Sequence, residues 1–368
     1  MSAPDQISGA PHPRETDRLY GQQHAEAAFL EAFNAERLHH GWLLTGPRGV
    51  GKATLAWKIA RFLLASPPAG DTGLFGAPEA ATSLDIAADH PVSRRMAAGA
   101  EPGLKSITRT QNPKTERLRE EIVVDDIRAL NGFFQLSAAE GGRRVVIIDA
   151  ADEMNVSAAN ALLKMLEEPP ERATLLLVSH QPSRLLPTIR SRCRTLRLRT
   201  LAPLELSQAV RQAVPEVDAD VTSLAALADG SAGAAIRQAQ LQGLETYGAL
   251  LKVLAAAAND GRATALKLAE GAAARGSEEK RDLLFELLDL LMVRLARTGA
   301  SGQPPSVEVV KGEAELLSRL SPNPVAARAW ADRAQTCGAR VRHGRAVNLD
   351  PATLVLDTLI KAREPVTP

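Results

Sequence analysis

The stretch that most restricts the fold is a glycine-rich loop at residues 46–54, which reads GPRGVGKAT. A short apolar run, Gly41 to Leu44, comes before this loop, and a helical pattern from Ala53 to Ala65 follows it. A strand, such a loop and a helix form a P-loop, whose backbone N–H groups surround phosphate oxygens while the lysine reaches the terminal phosphates. The alternative is a glycine-rich loop that arose by chance. We predict a phosphate-binding loop whose candidate residues are Gly46, Gly49, Gly51 and Lys52.

One position of the loop departs from the P-loop pattern. The lysine is normally followed by Ser or Thr, whose hydroxyl binds Mg²⁺, and Ala53 stands there instead. Thr54 comes one residue later, and one residue turns a helix by about 100°. We keep Thr54 as a candidate nucleotide-site residue. We expect Mg²⁺ only where a nucleotide is bound.

Two aliphatic runs farther along the chain predict strands that are buried on both faces of a parallel sheet, Val145 to Ile148 and Leu175 to Val178. Asp149 ends the first run, and an acidic residue at such a strand end holds Mg²⁺ directly or through water. Ser179 ends the second run, where a polar residue can sense the nucleotide. Alternatively, Asp149 has a structural role and Ser179 only caps the strand.

Strands that alternate with helices predict an α/β fold for the first half of the chain. Two amphipathic patterns, Gln22 to Arg37 and Ser157 to Glu168, supply helices there. Residues 66–105 are rich in Pro, Gly, Ala and Ser, which predicts a long irregular insertion. After Leu201 only helical patterns remain, so we predict an all-α second half. The polar N-terminal residues 1–15 are expected to be a flexible tail.

Charge and cysteine content restrict the function. There are 44 basic and 43 acidic residues, a net charge of +1, so no global field attracts nucleic acid or a membrane. The two cysteines, Cys193 and Cys337, cannot form a four-thiolate zinc site, and we predict no zinc and no other metal site. The longest apolar stretch, residues 283–296, contains three charged residues and suits a buried helix. We expect a cytoplasmic protein without a membrane partner.

Three stretches together carry a resemblance to a known family. They read RRVVIIDAADEMN at residues 143–155, ANALLKMLEEPP at 159–170 and LLPTIRSRC at 185–193. On these motifs the chain resembles the delta-prime family of bacterial DNA polymerase III clamp-loader subunits, which belong to the AAA+ class. The resemblance covers about residues 21–201. The helical second half is similar to the family in pattern only.

The resemblance implies an α/β P-loop (AAA+) domain at residues 16–200, a small helical lid at 201–245 and an all-α collar at 246–368. It implies a hetero-oligomer with the gamma/tau ATPase subunits, a delta subunit, the sliding clamp and primed DNA. It also implies that Arg192 is an arginine finger that reaches into the ATP site of a neighbouring subunit. The alternative is that Arg192 belongs to a solvated basic strip, whose other members are Arg184, Arg190, Arg194, Arg197 and Arg199.

Departures from the family's ATPase pattern point to a subunit that hydrolyses little ATP. Alanine stands at Ala53 and Ala150, and Gly233 stands where the lid normally carries a sensor arginine, although Arg237 follows one turn later. These changes predict ATP binding without efficient hydrolysis. The alternatives are an active AAA+ motor ATPase, which would use Thr54 and Asp152 in unusual roles, or a DNA-binding AAA+ protein. No stretch resembles a polymerase active site, so a polymerase label would reflect membership of a complex.

Overall fold

The computed structural model describes residues 5–16, 18–66, 80–136, 142–216, 220–256 and 261–364. The chain divides into two compact units. The first comprises residues 1–214 and 230–233, and the second comprises residues 215–229 and 234–368. Within the described residues, no helix has the length and apolar character that crossing a membrane requires.

The first unit is built on a five-stranded parallel sheet. Its strands are β1 (Gly41–Thr45), β2 (Leu104–Ile107), β3 (Arg144–Asp149), β4 (Ala173–Ser179) and β5 (Arg194–Arg197). Their order across the sheet is β2-β3-β4-β1-β5. Every residue of β1 and β4 is buried, as expected for central parallel strands covered on both faces. The P-loop therefore follows a central strand, as the sequence predicts.

Helices cover both faces of this sheet, which confirms the predicted α/β class. The helices of the first unit are α1 (Gln23–Asn34), α2 (Lys52–Ala65), α3 (Pro91–Ala97), α4 (Val124–Leu136), α5 (Val156–Glu167), α6 (Pro187–Ser191) and α7 (Pro203–Ala213). The helix α2 packs with Trp42, Leu44 and Val178 in one core. The alternate residues Leu43 and Leu177 pack into a second core on the opposite face of the sheet. The prediction of strands at 145–148 and 175–178 is correct.

The second unit is helical in its described residues. Its helices are α8 (Val221–Ala228), α9 (Ala232–Gln240, which starts at the border), α10 (Gly243–Ala255), α11 (Gly261–Ala273), α12 (Glu278–Ser301), α13 (Glu313–Leu320), α14 (Pro324–Ala346) and α15 (Pro351–Arg363). Buried Glu313 accepts hydrogen bonds from Tyr247 Oη (2.6 Å) and Arg294 Nε (2.9 Å). The Glu313 carboxylate lies beside a Leu-rich core. Its burial is tolerated because these two hydrogen bonds replace those that water would make.

Two predictions about irregular segments are wrong for the described residues. Residues 80–105 contain the helix α3 and the start of β2, because Leu84, Val92 and Met96 are buried in the core around α2. Residues 5–15 are packed instead of loose. The His12 ring meets the Trp57 ring edge-on at 5.4 Å, and His12 Nε2 lies 3.2 Å from Asp5 Oδ2. Residues 67–79 of the predicted insertion lie outside the described residues.

Candidate nucleotide site and arginine turn

The loop between β1 and α2 has the backbone that its glycines predict. Gly46, Gly49 and Gly51 have φ values of +143°, +76° and +98°, which side chains rarely tolerate. A Cβ on Gly46 would lie 2.5 Å from the Leu198 carbonyl oxygen. Gly51 is the N-cap of α2, so the loop ends at a helix N-terminus, the usual anion-binding arrangement.

Lys52 is bound by the loop itself. It is buried, and Nζ donates hydrogen bonds to the carbonyl oxygens of Gly46 (2.6 Å) and Pro47 (2.5 Å). Burial lowers its pKa to about 8, although the carboxylates of Asp149 and Asp152 act in the opposite direction. The Lys52 ammonium group therefore lies in the P-loop, where the loop's own carbonyl oxygens accept its hydrogen bonds.

Asp149 lies at the carboxyl end of β3, where the sequence predicts a metal or water ligand. Burial raises its pKa to about 7; Asp5 adds to the rise and Lys52 opposes it. The carboxyl group of Asp149 is therefore partly protonated near neutral pH. A carboxyl group in this state is a weak Mg²⁺ ligand.

Asp152 and Ser179 lie together where β4 ends. Asp152 accepts hydrogen bonds from the backbone N–H groups of His180 (2.9 Å) and Gln181 (3.1 Å). Burial raises the pKa of Asp152, but hydrogen bonds from backbone N–H groups, that of His180 first, outweigh burial and lower the pKa overall. The Asp152 carboxylate is used to fix the turn after β4, so its contacts are those of a structural residue.

A turn at residues 230–233 packs directly on the P-loop. Ser231 Oγ donates to the Arg48 carbonyl oxygen (2.9 Å), and the N–H of Gly233 donates to the Gly49 carbonyl oxygen (3.0 Å). A Cβ on Gly49 would lie 2.4 Å from Ser231 Oγ. The structure thus places Gly233 against the loop, at the position predicted for a sensor residue. Arg237 instead pairs with Glu286 at 2.8 Å.

Sequence reasoning missed an ion-pair cluster beside the loop. Glu153 accepts from Arg48 of the P-loop (3.2 Å) and lies 2.9 Å from Arg109 Nε. His180 is also close: burial, followed by the charges of Lys52 and Arg48, lowers its pKa to about 4. The pattern around Asp149 gave no signal for these contacts, because their partners are distant in sequence.

The residues at the start of α2 decide how well Mg²⁺ would fit. The helix begins at Lys52, so Ala53 and Thr54 occupy successive positions of its first turn. Ala53 has no oxygen to offer, and Asp149 is the nearest predicted metal ligand. The glycine backbone and Lys52 fit a phosphate group, whereas the donor set expected for Mg²⁺ is incomplete.

A second predicted feature, which we call the arginine turn, comprises Ser191, Arg192 and Cys193 between α6 and β5. Ser191 Oγ donates to the Thr188 carbonyl oxygen (3.1 Å), which closes the end of α6. Cys193 is largely buried, and burial raises its thiol pKa to about 12, so it is a neutral packing group. A Cβ on Gly41 would lie 3.0 Å from Leu166, 3.1 Å from the Arg192 carbonyl oxygen and 3.2 Å from Cys193 Sγ. The turn therefore rests on the start of β1.

This placement separates Arg192 from the P-loop of its own chain. The turn lies at the amino end of β1, beside Gly41, whereas the P-loop leaves the carboxyl end of β1 at Gly46. Five residues of strand between them span roughly 17 Å. Arg192 also differs from the basic strip, because it is half-buried while Arg184, Arg190, Arg194, Arg197 and Arg199 are exposed.

Comparisons with known proteins find relatives of this chain. Residues 21–202 match the family described as DNA polymerase III, delta subunit. A relative in Pseudomonas aeruginosa, named DNA polymerase III subunit delta′, is 39% identical over 58% of this chain and 62% of its own length. This part of the chain is therefore similar to DNA polymerase III delta and delta′ subunits.

The resemblance extends beyond the P-loop unit. The Escherichia coli K12 protein named DNA polymerase III subunit delta′ is 29% identical over 92% of this chain and 93% of its own length. The chain thus spans slightly less than two thirds of the Pseudomonas relative but nearly all of the Escherichia relative. A solved structure of a Thermotoga maritima gamma-subunit-related protein covers 92% of this chain and 100% of its own, with 22% identity and a TM-score of 0.40. The family match and the two delta′ relatives confirm the predicted resemblance to delta-prime clamp-loader subunits.

Proposed function

We propose that this chain is a clamp-loader subunit that hydrolyses little ATP itself and supplies Arg192 to the ATP site of a neighbouring ATPase subunit. Its partners would be the gamma/tau and delta subunits, the sliding clamp and primed DNA within the assembled complex. The observation that carries the proposal is the location of Arg192 at the opposite end of β1 from its own P-loop. This location supports a role toward a site on another chain, because the guanidinium is remote from the P-loop of its own chain.

The contacts of the chain's own site support limited hydrolysis. No hydroxyl follows Lys52, and Ala150 follows Asp149. The nearby acidic residues are already engaged, since Asp152 accepts two backbone N–H groups and Glu153 pairs with two arginines. We therefore expect neither Asp152 nor Glu153 to act as a general base for an attacking water.

The P-loop can bind ATP even if it hydrolyses little of it. The N–H groups of residues 49–52 and the Lys52 ammonium would hold the phosphates, with Thr54, Asp149 and Ser179 as the neighbouring polar groups. A bound nucleotide would supply negative charge that stabilises the positive helix N-terminus. For this to happen, Lys52 must exchange its hydrogen bonds to Gly46 and Pro47 for phosphate oxygens.

The proposal is tested in a clamp loader reconstituted with this chain, the clamp and primed DNA. An arginine finger supplied in trans accelerates hydrolysis by about 10³–10⁵-fold in well-studied NTPases. We expect Arg192→Ala to lower the rate of clamp loading at least about tenfold, a conservative fraction of that value. Assembly of the complex, followed by size-exclusion chromatography, should be unchanged.

The matched control is Arg190→Ala, which removes an exposed positive charge two residues away on α6. Loading with this variant should remain close to wild type. Equal losses for Arg190→Ala and Arg192→Ala would favour the basic-strip interpretation. No loss for Arg192→Ala would refute the proposed function.

A further inference from the structure

A carboxylate at the end of α5 pairs with the guanidinium of Arg192. Glu167 Oε1 lies 2.9 Å from Arg192 Nη2, and Nη1 donates to the Thr188 carbonyl oxygen at 3.2 Å. An arginine side chain has five N–H donors. These two contacts leave three donors for other acceptors, so the guanidinium can be oriented by its own chain and still bind a phosphate.

The backbone that carries Glu167 and the backbone of Arg192 both lie beside the start of β1. Glu167 is the last residue of α5, and the carbonyl of the preceding Leu166 contacts His40 Nε2 at 2.9 Å. Leu166 and the arginine turn also pack side by side on Gly41. Because Leu166 and the Arg192 backbone both contact the start of one strand, the two backbones that carry the pair are held close to each other.

The energy of this pair does not explain its arrangement. The two side chains are 48% and 37% exposed, and exposed ion pairs contribute little to stability. The orientation of the guanidinium matters more than the stability gained, because a misplacement of about 1 Å in a reacting group can lower the rate by as much as about 100-fold. The ion pair between Glu167 and Arg192 therefore affects the orientation of the guanidinium more than the stability of the fold.

We propose that Glu167 is a positioning residue for Arg192, which orients the guanidinium toward the phosphates of a neighbouring subunit. This inference rests on the proposed function. It assigns to the first glutamate of the Glu167-Glu168 pair a role that the second does not share. Glu168 is exposed, and among the described residues its side chain has no hydrogen bond or ion pair.

The test uses the assembled loader with the clamp and primed DNA, and compares Glu167→Gln with Glu168→Gln. Both variants remove one charge from adjacent positions and preserve side-chain size. We expect Glu167→Gln to lower kcat for ATP about three- to tenfold with KM little changed, well within the contribution of an arginine finger. Glu168→Gln should match wild type. Glu167→Asp, which keeps the charge, should recover part of the loss.

A double variant shows whether the effect passes through Arg192. With Arg192→Ala already present, Glu167→Gln should cause no further decrease in kcat. Equal kcat values for the Glu167→Gln and Glu168→Gln complexes, or an undiminished effect of Glu167→Gln beside Arg192→Ala, would overturn the inference. If Arg192→Ala alone left kcat and clamp loading unchanged, the proposed function would fail first. Loss with Arg192→Ala but none with Glu167→Gln would remove only the role of Glu167.

Discussion

At the scale of single residues, two carboxylates three positions apart have opposite titration behaviour. Asp149 at the end of β3 has a raised pKa because it is buried, whereas Asp152 has a lowered pKa because backbone N–H groups stabilise its charge against burial. In the sequence both are acidic residues after a buried strand. Burial of Asp149 and the backbone N–H groups that bind Asp152 distinguish them.

This difference gives a prediction for the pH dependence of stability. A folded-state pKa of about 7 for Asp149, above the ordinary 3.8, means that ionising it costs stability as pH rises between those values. At pH 7.5 we expect Asp149→Asn to raise the free energy of unfolding, with an upper limit of about 4 kcal/mol. At pH 3.5, where Asp149 is protonated in both states, the variant should match wild type. Thermal melts across this range measure the effect.

Asp152→Asn is a control for which we expect the opposite change in the free energy of unfolding at pH 7.5. Its lowered pKa contributes stability that is present at neutral pH and is lost as pH falls through the folded-state value. The variant should therefore melt below wild type at pH 7.5. If both variants shifted the melting temperature in the same direction at pH 7.5, our assignment of the two carboxylates would be wrong.

At the scale of secondary-structure elements, the arginine turn depends on a close approach between β1, the end of α5 and the turn itself. Gly41 permits this approach, since a Cβ there would be 3.0–3.2 Å from Leu166, Arg192 and Cys193. Gly41→Ala should destabilise the chain by about 1–3 kcal/mol and also lower clamp loading, because overpacking moves the turn. Denaturant unfolding and the loading assay measure the two effects.

Gly132→Ala is the matched control for this variant. Gly132 lies on α4, and a Cβ there meets nothing within 4 Å. The substitution should stabilise the chain by about 0.5–1 kcal/mol, because alanine is the better helix former. If Gly41→Ala were equally well tolerated, the approach of the arginine turn to β1 would be looser than described.

The elements that sequence analysis found and missed differ in burial. The strands β1, β3 and β4 were predictable because their aliphatic residues are continuous. In β5 only Leu196 is buried, so an edge strand with three exposed residues gave no apolar run. The edge strand β2 was missed for the same reason, since only Ile107 is buried. The phosphate loop was found because its residues are contiguous, whereas Glu153, Glu167 and the turn at 230–233 act through distant partners.

At the scale of the whole molecule, each compact unit has a hydrophobic core of its own. The all-α prediction for the second half holds for the described residues beyond 201. The predicted boundaries of lid and collar, at residues 200/201 and 245/246, stay predictions. One sequence also does not identify the neighbouring subunit that the proposed function requires, because the arginine turn and the P-loop of one chain lie at opposite ends of the same strand.

The central claim is that this chain acts on a neighbour's nucleotide and not on its own. The most direct measurement is steady-state ATP hydrolysis by the assembled loader with clamp and primed DNA, in which this chain carries either Lys52→Ala or Arg192→Ala. We predict a rate close to wild type for Lys52→Ala and a large decrease for Arg192→Ala. The reverse result, loss with Lys52→Ala and wild-type turnover with Arg192→Ala, would show that the chain is itself the working ATPase.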